Sequence, residues 1–168
     1  RHTSIEGFGH FHEFQIGGLV FMPTVGPLKT VPGTLEDPDS GYRSRFDKAD
    51  ETAQPGYYTV YLKDYKVKAE LTSTERVGFH RYIFPKTNEA NLVIDIGHKQ
   101  GESSDVILAQ AKIINETEIE GYIETNPEYA KFCDPGKTVK MYFVAKLSKK
   151  PLQTGGFINE MLKEGASE

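Results

Sequence analysis

A chain of 168 residues with a formal charge of -4 has room for one well-buried domain, since a chain near this length hides roughly 70% of the surface its unfolded form exposes. No basic run exceeds Lys149-Lys150, which excludes the electrostatic footprint of a nucleic-acid or anionic-membrane binder. A single cysteine, Cys133, excludes an internal disulfide and leaves the redox compartment open.

From the N-terminus, Arg1 to Gln15 carries three of the five histidines, at positions 2, 10 and 12. An apolar strand is predicted over Leu19 to Met22, broken at Pro23. The longest apolar run, Ile16 to Met22, is too short to span a bilayer, and RHTSIEG lacks the sections of a signal peptide. Pro27, Pro32, Gly33, Pro38 and Gly41 punctuate a long connection with no regular element. The charged stretch from Tyr42 to Gln54 takes no assignment before Pro55-Gly56 closes it.

Three strands follow in a row. Tyr58, Val60 and Leu62 share one side of a period-two repeat between Tyr57 and Lys63, and Val67, Ala69 and Leu71 alternate with Lys66, Lys68, Glu70 and Thr72. Only Asp64 and Tyr65 separate the two runs, which predicts a tight hairpin. A third strand runs from Val77 to Phe84 and stops at Pro85. Leu92 to Ile96 reads as a buried strand bounded by Gly97. Lys112 to Glu118 and Ile119 to Glu124 read as exposed or edge strands. Thr138 to Leu147 has the cleanest alternation, with Val139, Met141, Phe143, Ala145 and Leu147 facing a core. The one predicted helix follows Gly155-Gly156, where Phe157, Ile158, Met161 and Leu162 form a stripe at helical spacing. The expected fold class is therefore all-β, a two-sheet antiparallel sandwich with one short helix near the C-terminus.

Several residues are candidates for chemistry. His10 and His12 in GFGHFHEF are two apart, so on a strand both rings point to one side, where they could hold a metal or a sugar hydroxyl. The alternative is two histidines making ordinary hydrogen bonds on a half-exposed strand. Phe8, Phe11 and Phe14 either hold a sugar ring or fill a core. Asp95 sits inside an apolar strand, where desolvation would raise its pKa, unless backbone amides or an arginine hold its carboxylate. Arg81 shares a strand face with Val77, Phe79 and Ile83, which predicts a buried ion pair. There is no glycine-rich phosphate loop, nucleophile elbow or CxxC, and Cys133 reads as an ordinary thiol.

The string RSRF followed by AxPGYYxVYLxDYxVxAELTSTxRxGFHRYxFP resembles the N-terminal domain of glycoside hydrolase family 92, the calcium-dependent exo-α-mannosidases. GFGHFH and GGLVFMPTVG resemble that family's GFSHxH segment and the strand after it, with Gly9 where the family usually has Ser and Asp47-Lys48 in place of a common Ser-His. The resemblance is close over about positions 5 to 100. It implies a galactose-mutarotase-like β-sandwich over 1-168, truncated at both ends, leading into an (α/α)6 barrel that holds the inverting acid and base and the calcium. No catalytic residue and no metal ligand is then expected in this stretch. Its implied partners are the catalytic barrel of the same parent chain and α-mannoside glycans, with no nucleic acid and no membrane insertion, and its implied location is secreted, periplasmic or at a bacterial cell surface. Phe8, His10 and His12 are the expected substrate-binding residues. A free-standing carbohydrate-binding sandwich is the alternative, and a histidine-metal enzyme is a third.

Overall fold

The computed structural model describes residues 2–11, 17–99, 105–127 and 134–158, and the backbone of 161–164. Its regular elements are strands joined by turns and two single 3-10 turns, Pro38–Ser40 and Lys48–Asp50. The all-β expectation holds, and the fold is that of antiparallel sheets suited to a β-sandwich. Two units emerge, Arg1–His10 with Val20–Ile94, and Phe11–Leu19 with Asp95–Glu168.

In the first unit, β1 (Ser4–Ile5) pairs with β3 (Ser44–Arg45), and β2 (Val20–Val25) with β8 (Ala90–Asp95). The larger sheet has the order β4 (Glu51–Gln54), β5 (Tyr57–Leu62), β6 (Val67–Ser73), β7 (Gly78–Ile83). Register sets Val60 opposite Ala69 and Leu62 opposite Val67, and all four are fully buried. Each aliphatic side chain larger than alanine so placed contributes about 1.5–3 kcal/mol relative to exposure. The sequence GYRSRF is buried along most of its length. Tyr42 and Ser44 are fully buried and Phe46 nearly so, while Arg43 pairs with Glu6 at 2.5 Å and Arg45 with Asp39 and Asp64 at 2.5 and 3.1 Å.

Several sequence expectations need correction here. β2 does not break at Pro23 but runs through it to Val25. Among the described residues the edge of β2 away from β8 carries a single bridge, Phe21 to Phe8, so a residue without an N–H can sit elsewhere along that edge. The β5–β6 connection is a four-residue turn, because the last paired residues are Leu62 and Val67. Its left-handed position is Lys66 at φ 55°, not Tyr65. Tyr65 is instead half-buried, its hydroxyl donating to the Tyr42 carbonyl at 3.0 Å, and burial pushes its pKa up to about 12. Arg81 does pair with Glu70, at 2.6 Å, but its side chain is 67% exposed. The strand face it shares with Val77, Phe79 and Ile83 is the exposed one.

In the second unit, β9 (Asp105–Asn115), β10 (Glu118–Asn126) and β11 (Val139–Lys146) form a sheet in the order β11-β10-β9. The expected division between residues 118 and 119 moves to the Glu116-Thr117 turn. There the Asn115 carboxamide oxygen accepts from the Thr117 amide at 3.0 Å and closes the hairpin. Gly121 faces Phe143 across the ladder, and a Cβ there would lie 2.3 Å from the Gln110 carbonyl oxygen and 2.6 Å from the Phe143 ring. The Phe143 ring thus occupies the space over a residue that has no side chain. On the opposite face, Tyr122 and Tyr142 form a cross-strand pair at 5.8 Å between ring centres.

The predicted late helix is a hairpin. β12 (Gly155–Ile158) pairs with β13 (Met161–Glu164), setting Phe157 opposite Leu162 and Ile158 opposite Met161. Two apolar doublets flanking a polar dipeptide have the spacing of one helical stripe and equally of a hairpin folded between them. The glycine pair before them supplies neither a capping side chain nor helix propensity, so pairing prevails.

Candidate functional site

Phe8 joins the 5–10 segment to β2 by two backbone bonds, each amide donating to the other residue's carbonyl, Phe8 and Phe21, at 3.0 Å. Its side chain is only 5% exposed, with ring centres 6.5 Å from Tyr58 and 6.2 Å from Tyr82. Phe8 is thus part of the core below the segment, and it carries the chain out to an exposed His10. His12 and Phe14 lie outside the described residues, as does Cys133.

His10 meets a residue 70 positions away. Its Nε2 lies 2.6 Å from Nε2 of His80 on β7, with ring centres 4.7 Å apart. The other His80 nitrogen, Nδ1, lies 2.5 Å from the Tyr82 hydroxyl. Phe21 contacts the His80 ring edge-on at 5.3 Å between centres. Alternation along β7 puts Gly78, His80 and Tyr82 on the side away from Arg81, and Gly78 leaves the space that the His10 ring fills.

Burial and the neighbouring His10 hold the His80 pKa down at about 4, and burial lowers that of His10 as well. Burial raises the Tyr82 phenol above its ordinary value. Near neutrality the three groups form an uncharged chain of hydrogen bonds. The 2.6 Å separation of the two Nε2 atoms is too short for both to bind one ion, since each metal–nitrogen bond is about 2 Å and the ligands are spread around the metal. Among the described residues no three His, Cys, Asp or Glu side chains converge as a metal site would require.

Beside His10 an open groove of about 460 Å³ runs between the 5–10 segment and the sheet. Phe8, Tyr58 and Leu71 line its apolar part, and His10, Gln54 and Thr72 are among its polar residues. No Asp, Glu, Lys or Arg is among the described lining residues. The nearby carboxylates are committed elsewhere. Glu51 accepts from the Tyr58 hydroxyl at 2.8 Å and pairs with Lys48. Glu70 accepts from Tyr57 at 2.7 Å and from Arg81 at 2.6 Å. In the second unit, Asp95 holds the Gly97 and His98 amides at 2.9 and 3.0 Å, the backbone-bound alternative of the sequence reading.

His80 and Tyr82 are the site residues that sequence reasoning missed. The available signal was the alternation Gly78-x-His80-x-Tyr82, masked by the more apolar set at Val77, Phe79 and Ile83.

The description "Glycosyl hydrolase family 92 N-terminal domain" matches residues 1–168. Among solved structures, the family GH92 alpha-mannosidase BT3965 from Bacteroides thetaiotaomicron is 33% identical, with a TM-score of 0.78. The match covers 99% of this chain and 24% of that one. The same mannosidase in complex with mannoimidazole gives the same identity and TM-score over 23% of its length. No curated protein matches. The chain spans about a quarter of the length of the solved relatives, and it belongs to the glycosyl hydrolase family 92 N-terminal domain family.

Proposed function

We propose that this chain is the non-catalytic N-terminal part of an inverting α-mannosidase, where it packs on a catalytic barrel and completes the pocket for α-mannosides in glycans. The observation that carries the reading is the groove beside His10. It is lined by aromatic, apolar and uncharged polar groups, with no carboxylate among the described lining residues. Glycoside hydrolysis needs two carboxyl groups across the scissile bond, whereas an apolar face with a few hydrogen-bonding groups suits a neutral pyranose. His10 contacts the sugar, together with His12, and Phe8 forms the floor that holds the segment. The acid, the base and the calcium belong to the rest of the parent enzyme, which acts outside the bacterial cytoplasm.

Mannose release from an aryl α-mannoside tests this. The parent enzyme should release mannose, first as the inverted anomer in the proton NMR spectrum, and the 168-residue chain alone should release none. Measurable hydrolysis by the chain alone would sink the proposal. Mannoside binding by the chain alone, without hydrolysis, would favour a free-standing binding module.

A further inference from the structure

We infer that Tyr82 and His80 are positioning residues that fix His10 as a hydrogen-bond donor, so that the group it takes in the groove is an oxygen acting as acceptor. The inference rests on the reading of His10 as a sugar contact and names the polarity of that contact.

The number of protons on the three side chains fixes the role of each. The half-buried Tyr82 hydroxyl has one proton, and His80 Nδ1 is its only acceptor among the described residues. If Tyr82 accepted instead, its own O–H would have no protein acceptor among the described residues, the costlier arrangement for a hydroxyl that burial partly shields from water. Tyr82 therefore donates to Nδ1 of His80. A neutral imidazole carries one proton, so that of His80 is on Nε2, and it donates across the 2.6 Å contact to Nε2 of His10. His10 is left with its proton on Nδ1, the ring nitrogen not engaged by His80. His10 lines the groove, and the Nδ1–H is the ring hydrogen-bonding group it has left for a ligand there. A hydroxyl, ring or glycosidic oxygen satisfies that group, and a ligand group that can only donate does not.

The geometry also explains three residue types. Tyrosine at 82 supplies the terminal proton and, with its pKa raised by burial, keeps it across the physiological range. Histidine at 80 passes the polarity along because its two nitrogens have opposite roles in the neutral ring. Glycine at 78 leaves the room in which the His10 ring meets His80.

The test uses the full-length parent enzyme with His10→Ala, Tyr82→Phe, His80→Phe and His80→Gln, reading KM and kcat on an aryl α-mannoside together with thermal unfolding. Glutamine keeps an N–H near the position of Nε2 and is the rescue variant. Tyr82→Phe should raise KM by about three- to tenfold and His80→Phe by about tenfold. His80→Gln should restore KM to within about twofold of wild type, the measurement scatter allowed for a retained hydrogen bond. Histidine-labelled nitrogen NMR should show the His10 proton on Nδ1 in the wild type and divided between the nitrogens in Tyr82→Phe. If His10→Ala raises KM but Tyr82→Phe and His80→Phe leave it unchanged, the relay is wrong and the sugar contact stands. If His10→Ala leaves KM unchanged, the sugar contact falls and the relay's role falls with it. A His10 proton found on Nε2 in the wild type overturns the relay directly.

Discussion

Gly78 on β7 and His10 on the N-terminal segment are in contact so close that an ideal Cβ on Gly78 would lie 2.2 Å from His10 Cδ2. A side chain at 78 would therefore evict the His10 ring. Because His10 is exposed, it can swing into solvent, and the loss is confined to the contact with His80. Gly78→Ala should accordingly cost about 0.5–1.5 kcal/mol of stability, the net worth of one hydrogen bond, while raising KM of the parent enzyme as much as His10→Ala does. Urea unfolding beside steady-state kinetics checks both halves. A stability loss with unchanged KM would separate Gly78 from the site.

The histidine pair makes the chain sensitive to mild acid. Burial first and the neighbouring His10 second hold the folded pKa of His80 at about 4, against an ordinary value of 6.5. Between those values the unfolded chain binds a proton that the folded chain refuses, so stability rises with pH across the window. The contribution is complete above about 6.5 and is lost as pH falls toward 4. Thermal unfolding between pH 7.5 and 4.5 should show this slope in the wild type and a shallower one in His80→Gln. Equal slopes would mean that other groups carry the acid dependence.

Glu70 acts in a lower window. Its carboxylate is held down to about 2 by Arg81 first, then by the Tyr57 hydroxyl and Lys68. With an ordinary value of 4.5, its contribution is present above that pH and lost as pH falls toward 2. Glu70→Gln should therefore unfold at lower urea than the wild type at pH 7, and the two midpoints should converge by pH 2 to 3. A gap that stays constant with pH would show that the substitution acts by packing.

The two faces of the larger sheet should differ sharply in cost. Leu62 is fully buried, so Leu62→Ala is expected to lose about 2–5 kcal/mol through lost transfer free energy and a residual cavity. Phe79, on the other face of the sheet, is 63% exposed, and Phe79→Ala should stay within about 0.5 kcal/mol. Urea titrations of the chain provide both values. Comparable losses would mean that the outer face is also covered.

Much of the fold was legible because alternation is local. Val67 to Ser73 and Val139 to Lys146 declare their period along a single strand, and both are strands with the expected faces. Membership of the family was legible for another reason, since the order of residues from RSRF to the GFHRY segment is a long pattern that no period generates. Alternation also has a blind spot. It says that β7 has two faces without saying which is buried, and the more apolar set, Val77, Phe79 and Ile83, turned outward.

The spacing of Phe157, Ile158, Met161 and Leu162 fits a helix and a hairpin equally well, and only the pairing of β12 with β13 separates them. The candidate site lay beyond sequence reasoning for a related reason. His10 and His80 are joined by a contact across 70 residues, made possible by a missing side chain at Gly78 and ordered by the Tyr82 hydroxyl. The sequence by itself determined the strands with a clear alternation, the family and His10 as a candidate. The tertiary structure alone decided what His10 touches, because a hydrogen bond depends on where two side chains end and not on how far apart they stand in the chain.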